Sequence, residues 1–324
     1  MKLTIKDIAR LSGVGKSTVS RVLNNEPNVS ETTKAQVLAV VEEYNFQPSR
    51  SARAMRGIEN RVVGIIVTRL DSPSENRVLR GILNALQHDG SEHFIVESRF
   101  EPKLVAEHLR FFAQRRVDGV IVFGFSQLQQ ELLLPYKQKL VVVAQHYPEL
   151  SSVYYDNYAS IRLLMQRLYQ QGHRQIAYLG VAVDDHTTGL LRYQAYLDFC
   201  SEKQLEPHFA LGSLDYHNAY QQAPLVISEQ TEAVVCATDS IAIGVNKYLQ
   251  QQQRRDIQVC GVGNNKLLKF LFPQTLSIEF GLYRAGERAL QQLLSLLAQP
   301  ERIEHFCVAC HFPEEITDPN QGES

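Results

Sequence analysis

Apolar residues near the amino terminus recur at helical spacing. Ile5, Ile8, Ala9 and Leu11 form a stripe that predicts a first helix, and Thr4-Ile5-Lys6-Asp7 opens it like a capping box, with the Thr4 hydroxyl placed for the first-turn amides and Asp7 reaching back. Ser12-Gly13-Val14-Gly15 interrupts the stripe with a glycine where a tight turn joins two helices. A second helix is expected from about Lys16 to Asn24. Val19, Val22 and Leu23 form its buried face, leaving Lys16, Ser17, Ser20, Arg21 and Asn24 on the other. Ser30-Glu31-Thr32-Thr33 caps a third helix, whose Val37, Leu38, Val40 and Val41 close a small core, and Pro48 stops it.

From Arg61 the period changes. Short apolar runs alternate with amphipathic segments: VVGIIV then Glu75 to His88, HFIVES then Leu104 to Gln114, VDGVIVFG then Gln127 to Tyr136, followed by LVVVA. The rhythm repeats with Asn157 to Gln171, RQIAYLG, Gly189 to Glu202, EAVVCA, Ser240 to Gln252 and IQVCGVG. Such alternation marks βαβ units and parallel sheets, and two series predict two doubly wound lobes with a cleft between them. Ligands of open α/β sheets bind beyond the carboxyl ends of the strands.

Charge sharpens this division. Residues 1–61 carry ten Lys/Arg against six Asp/Glu, a balance of +4, whereas residues 62–324 carry 23 against 29, or −6. A basic helical module on an acidic body suits a polyanionic partner. Nothing resembles a signal peptide or a membrane span, and five cysteines scattered through apolar stretches fit reduced thiols, so a cytoplasmic location is expected. Glycine-rich phosphate loops, nucleophile elbows and metal-ligand clusters are missing from the sequence, which argues against an enzyme. Cys307-Val308-Ala309-Cys310 has no second pair at zinc-finger spacing and reads as ordinary strand, with no metal and no cofactor expected.

Two helices about a glycine-containing turn, the second with short polar residues and an arginine exposed, meet the needs of a helix-turn-helix entering the major groove. TIKDIARLSGVGKSTVSRVLNN followed by VSETTKAQVLAVVEEYNFQPSRSARAMRG closely resembles the headpiece of the LacI/GalR family of bacterial repressors. The resemblance implies an all-α headpiece (residues 1–47) and a hinge helix with linker (48–60). These precede a two-lobed, periplasmic-binding-protein-like α/β body (61–318) and a polar tail (319–324). Within the body it implies an N-lobe of about 61–157 plus 281–300 and a C-lobe of about 158–280 plus 301–315. It places Lys16, Ser17 and Arg21 at base-reading positions and Thr4, Thr18, Ser20, Asn24 and Ser30 at phosphates of double-stranded DNA. In the hinge it sets Met55 as an apolar wedge in the minor groove, where leucine is usual, with Arg53 beside it. The hinge, Ser49 to Gly57, makes barely two turns and should order only when two copies meet on a pseudo-palindromic operator, so a homodimer is implied.

In the body, VTRLDSPSEN, MQRLYQQGHRQIAYLG, CATDSIAIG and KFLFP resemble the trehalose branch of that family, implying trehalose 6-phosphate as the small-molecule effector. By their places at strand ends, Arg69, Gln145, His146, Asp156, Asp239 and Asn264 are nominated as effector ligands, with Glu75 and Arg192 on the helices that follow. A guanidinium fork suits a phosphate. Two features bear on the ligand: Gly263-Asn264-Asn265 stands where the typical member has an Asp-Asp pair, and Gln145-His146 stands where the trehalose branch has a second arginine. Another sugar phosphate, or a corepressor that tightens DNA binding, is the alternative.

Overall fold

The computed structural model describes residues 3–23, 29–44, 46 and 61–313. They fall into two compact units divided after Arg61.

The first unit has three helices, α1 (Ile5–Ser12), α2 (Lys16–Leu23) and α3 (Glu31–Glu43). Gly13 ends α1 at φ 67°, a left-handed conformation that a side chain disfavours, and this lets the chain reverse into α2 within three residues. Ile5, Ile8, Val19, Val22, Val37 and Phe46 form the core. Leu11 and Leu38, expected inside, are instead 40% and 43% exposed: the buried face of α1 runs through Ile5, Ile8 and Ser12, leaving Leu11 at its margin, and Leu38 lies round the helix from the buried Val37. The capping box expected at α1 is present, and Asp7 accepts from both the Thr4 amide (2.8 Å) and the Thr4 hydroxyl (2.7 Å).

The second unit begins with β1 (Val62–Val67), α4 (Pro73–Asp89), β2 (Glu92–Glu97), α5 (Pro102–Gln114) and β3 (Gly119–Phe123). Then come α6 (Gln130–Leu133), a 3-10 turn (Leu134–Lys139), β4 (Leu140–Val143) and β5 (Ser151–Tyr155). Pro135 lacks the amide that would continue α6, which explains the break in the helix expected over 127–136. The chain crosses over through α7 (Asn157–Gln170), β6 (Ile176–Val181), a π turn (His186–Leu191), α8 (Arg192–Lys203), β7 (His208–Gly212) and α9 (Tyr216–Val226). It continues with β8 (Ala233–Cys236), α10 (Asp239–Gln251), β9 (Gln258–Val262), α11 (Lys266–Leu271) and β10 (Leu276–Ile278), and ends with α12 (Leu282–Ala298) and β11 (His305–Val308).

Two parallel sheets result, ordered β11-β5-β4-β3-β1-β2 and β10-β9-β8-β6-β7. In β1 every residue is buried because both faces are covered: Val63, Ile65 and Val67 join the core under α4 and α12, while Val62 and Ile66 join Val105, Leu109 and Phe112 of α5. Helices α4 and α12 meet backbone to backbone. A β-carbon at Gly81 would overlap the Tyr283 carbonyl oxygen, and one at Gly286 would overlap that of Val78.

One expected boundary is corrected. Residues 305–308 pair in parallel with β5, so β11 is the edge strand of the N-lobe rather than part of the C-lobe. The chain returns only after it, and Phe312 packs beneath the Arg167 guanidinium of α7. Strand β11 stops at Val308, leaving Cys310 beyond it; both Cys307 and Cys310 are free thiols.

Candidate functional site

In the helical unit, Lys16, Ser17 and Arg21 are exposed on one side of α2, opposite the buried Val19 and Val22, while Thr18 and Ser20 are half-buried at its margins. Ser30 caps α3, accepting from the Thr33 amide at 3.3 Å and lying 2.8 Å from the Thr33 hydroxyl. Thr4 is bound to Asp7, whose carboxyl those hydrogen bonds hold below its ordinary range. Short side chains flanking an exposed Lys-Ser and Arg are what a helix needs to approach a groove and its phosphates. Asn24, Arg53 and Met55, with the rest of the expected hinge helix, lie outside the described residues.

In the body, a cavity of about 150 Å³ opens between the two sheets at their carboxyl ends. Thr68 and Arg69 reach it from the end of β1, Gly124 from β3, Ala144 from β4, Thr238 from β8 and Gly263 from β9. Phe100, Phe125 and Phe280 supply apolar surface, and Ser72, Ser74, Asn157, Asp185, Thr187 and Thr188 supply hydrogen-bonding groups. This mixture of rings and hydroxyl-sized polar groups suits a sugar.

Two guanidinium groups face the cavity. Arg192 is buried: its Nε and Nη2 donate to Asn157 Oδ1 at 2.9 and 2.7 Å, its Nη1 donates to the Ala237 carbonyl, and its guanidinium carbon lies 5.4 Å from the centre of the Phe280 ring. Burial lowers its pKa from the ordinary arginine value. An arginine has five N–H donors, so one remains on each terminal nitrogen. Arg69 has a buried Nε without a hydrogen-bond partner, 3.8 Å from the exposed Asp71 carboxylate. Beside it, Glu75 accepts from the Thr68 amide (2.9 Å) and hydroxyl and from the Arg69 amide (3.4 Å). Burial nevertheless pushes the Glu75 carboxyl above its ordinary range.

Arg69, Glu75 and Arg192 therefore line the cavity as nominated, and the other five nominees do not. Asp156 caps α7 through the Ala159 amide at 2.9 Å, while its neighbours Tyr155 and Asn157 face the space. Asp239 turns into the C-lobe, accepting from Ser277 Oγ and the Asn265 amide, both at 2.6 Å. Asn264 donates its side-chain amide to Glu279. His146 packs on Tyr154 and His305 at ring distances of 4.9 and 4.6 Å, towards the β11 edge, where burial and His305 lower its pKa. Gln145 lies against Gly124 with a buried, unpartnered Oε1. Asp185, Thr187 and Thr188 were not anticipated. Asp185 Oδ1 accepts from both threonine amides, at 3.0 and 2.9 Å, at the start of the π turn, which brings the pair to the cavity. Among the described residues no cluster of three or more His, Cys, Asp or Glu could hold a metal ion.

Residues 4–49 match the family described as bacterial regulatory proteins, lacI family, and residues 165–310 match the periplasmic binding protein-like domain. The HTH-type transcriptional regulator TreR of Salmonella typhimurium is 49% identical over 305 residues, 93% of this chain and 97% of that protein. The chain belongs to the LacI family of bacterial regulators. The TreR of Escherichia coli is 48% identical over the same share of each chain. The solved trehalose repressor from Escherichia coli superposes with a TM-score of 0.77 at 41% identity, covering 78% of this chain and all of that one. The lac repressor dimer bound to operator and an anti-inducer shares the fold at 20% identity, with a TM-score of 0.80 over 96% of this chain. This LacI-family chain is a DNA-binding transcription regulator and not an enzyme. No described helix is long and apolar enough to cross a membrane.

Proposed function

We propose that this regulator represses a trehalose uptake or utilisation operon in the cytoplasm and is released from its operator by trehalose 6-phosphate. The observation that carries the reading is the near-50% identity to TreR regulators along 93% of the chain. The cavity adds chemical support, since it offers hydroxyl-sized polar groups, aromatic surface and a cation, Arg69, with a donor to spare.

In this reading Lys16, Ser17 and Arg21 contact base edges, and Thr4, Thr18, Ser20, Asn24 and Ser30 contact phosphates. Met55 wedges between base steps with Arg53 at the backbone. The protein acts as a homodimer on a pseudo-palindromic site. Leu267, Phe270 and Leu271 are exposed on α11, with Phe270 at 83%, and provide apolar area for such pairing. The effector touches both lobes, shifts the angle between them and lowers operator affinity by a coupling energy of about 1–3 kcal/mol.

The test is fluorescence anisotropy on a labelled operator at fixed salt, with trehalose 6-phosphate or trehalose added. Loss of affinity with the phosphorylated sugar supports the reading. Tight binding indifferent to both sugars rejects the effector while leaving DNA binding intact, and tighter binding would mark a corepressor.

A further inference from the structure

Behind the cavity wall, a single carboxylate is gripped from both lobes. Glu279 lies in the crossover between β10 and α12 and is buried. Its Oε2 accepts from the Arg77 guanidinium of α4 at 2.8 Å and from the Asn264 side-chain amide at 2.9 Å, and its Oε1 accepts from the Gly281 amide at 2.6 Å. Arg77 also donates to the Gly263 carbonyl at 2.7 Å, joining the N-lobe helix to the C-lobe loop after β9. The Glu279 backbone pairs with His311 in both directions, at 2.9 and 3.0 Å, binding two crossovers together.

Arg77, Asn264 and Glu279 are not themselves lining residues, yet the residues beside them are. Ser74, Glu75 and Val78 flank Arg77, Gly263 precedes Asn264, and Phe280 and Leu282 follow Glu279. We infer that this three-residue knot is a positioning device for the effector cavity, holding α4 and the β9–α11 loop at the separation that lets both lobes touch one ligand. The identity of residue 264 follows from it. An aspartate there would set a carboxylate oxygen about 3 Å from that of Glu279, where two like charges cannot both persist without cost, whereas an amide donates. The backbone is compatible, since Asn264 sits at φ 49°, a left-handed conformation that asparagine tolerates.

The inference rests on the effector reading for its sugar measurements, so the test has a second arm without sugar. Full-length wild type, Asn264→Asp, Glu279→Gln and the double variant are compared. Calorimetry measures trehalose 6-phosphate and trehalose affinity, and hydrogen exchange measures the sugar-free amides of residues 263–265 and 279–281. Asn264→Asp should weaken effector binding about tenfold and speed exchange in both segments. In the double variant the carboxylate at position 264 no longer faces a second one, although Arg77 still lacks its ion-pair partner, so the two losses should overlap and the double variant should be no worse than Glu279→Gln alone. A double variant whose losses add, or an Asn264→Asp protein that behaves as wild type, overturns the knot. If wild type binds neither sugar, the effector reading falls by itself and the exchange pattern decides the knot alone.

Discussion

The two walls of the cavity each present an arginine, and the two are held in opposite ways. Arg192, on the C-lobe wall, is buried and clamped by Asn157 and the Ala237 carbonyl, neutral acceptors that fix its plane before any ligand arrives. Arg69, on the N-lobe wall, has a side chain 33% exposed and an Nε with no hydrogen-bond partner, and its partner in charge is an exposed aspartate at 3.8 Å. The first wall is preorganised and the second adaptable. A clamped fork gives orientation to any sugar that enters, whereas a cation with free donors can answer a charged substituent.

Substitutions at either wall separate the two roles. The largest effect should come from Arg192→Met, which removes two donors from the cavity and leaves Asn157 and Ala237 unsatisfied. About 3 kcal/mol, on the order of a hundredfold, should be lost for phosphorylated and free trehalose alike by calorimetry. Arg69→Gln should be smaller and selective, with trehalose 6-phosphate weakened about tenfold and trehalose scarcely changed. Equal losses for the two sugars would place the phosphate elsewhere.

Glu75→Gln tests the electrostatics of the same wall. Because burial raises the native Glu75 pKa, the native state holds its proton at a pH where the unfolded chain has released it. Wild type should therefore gain thermal stability relative to the variant as pH falls from neutral through the native value, with the gain complete below the ordinary carboxylate range. A difference that does not move with pH in scanning fluorimetry would contradict the shift. His146→Ala should be the smallest change, within about twofold in effector affinity, since His146 packs on Tyr154 and His305 away from the cavity.

How far the sequence could be read depended on how local the cause was. Helices α1 to α3 rest on stripes and caps within a few residues of one another, so Lys16, Ser17 and Arg21 could be placed on an exposed face directly. The two parallel sheets and the carboxyl-end cavity also followed, because alternation of period is itself a local signal. Side-chain direction at the strand ends did not follow. Asp156 and Asn157 are adjacent, yet helix geometry makes one a cap and turns the other to Arg192; Asp239 closes on Ser277, 38 residues away. Nothing in spacing foretold that β11 would join the sheet begun at residue 62, since that pairing is set by packing across the whole N-lobe.

Gly81 and Gly286 carry a consequence for how this protein tolerates change. Each lets one helix rest on a carbonyl of the other, so the smallest side chain at either place meets backbone that cannot step aside. In a saturation mutagenesis screen scored by repression, both positions should be as intolerant as Arg21, the arginine proposed to read base edges, though neither lines the cavity. Inactive alleles at 81 and 286 would then be told from DNA-contact alleles by their low protein abundance rather than by altered operator preference.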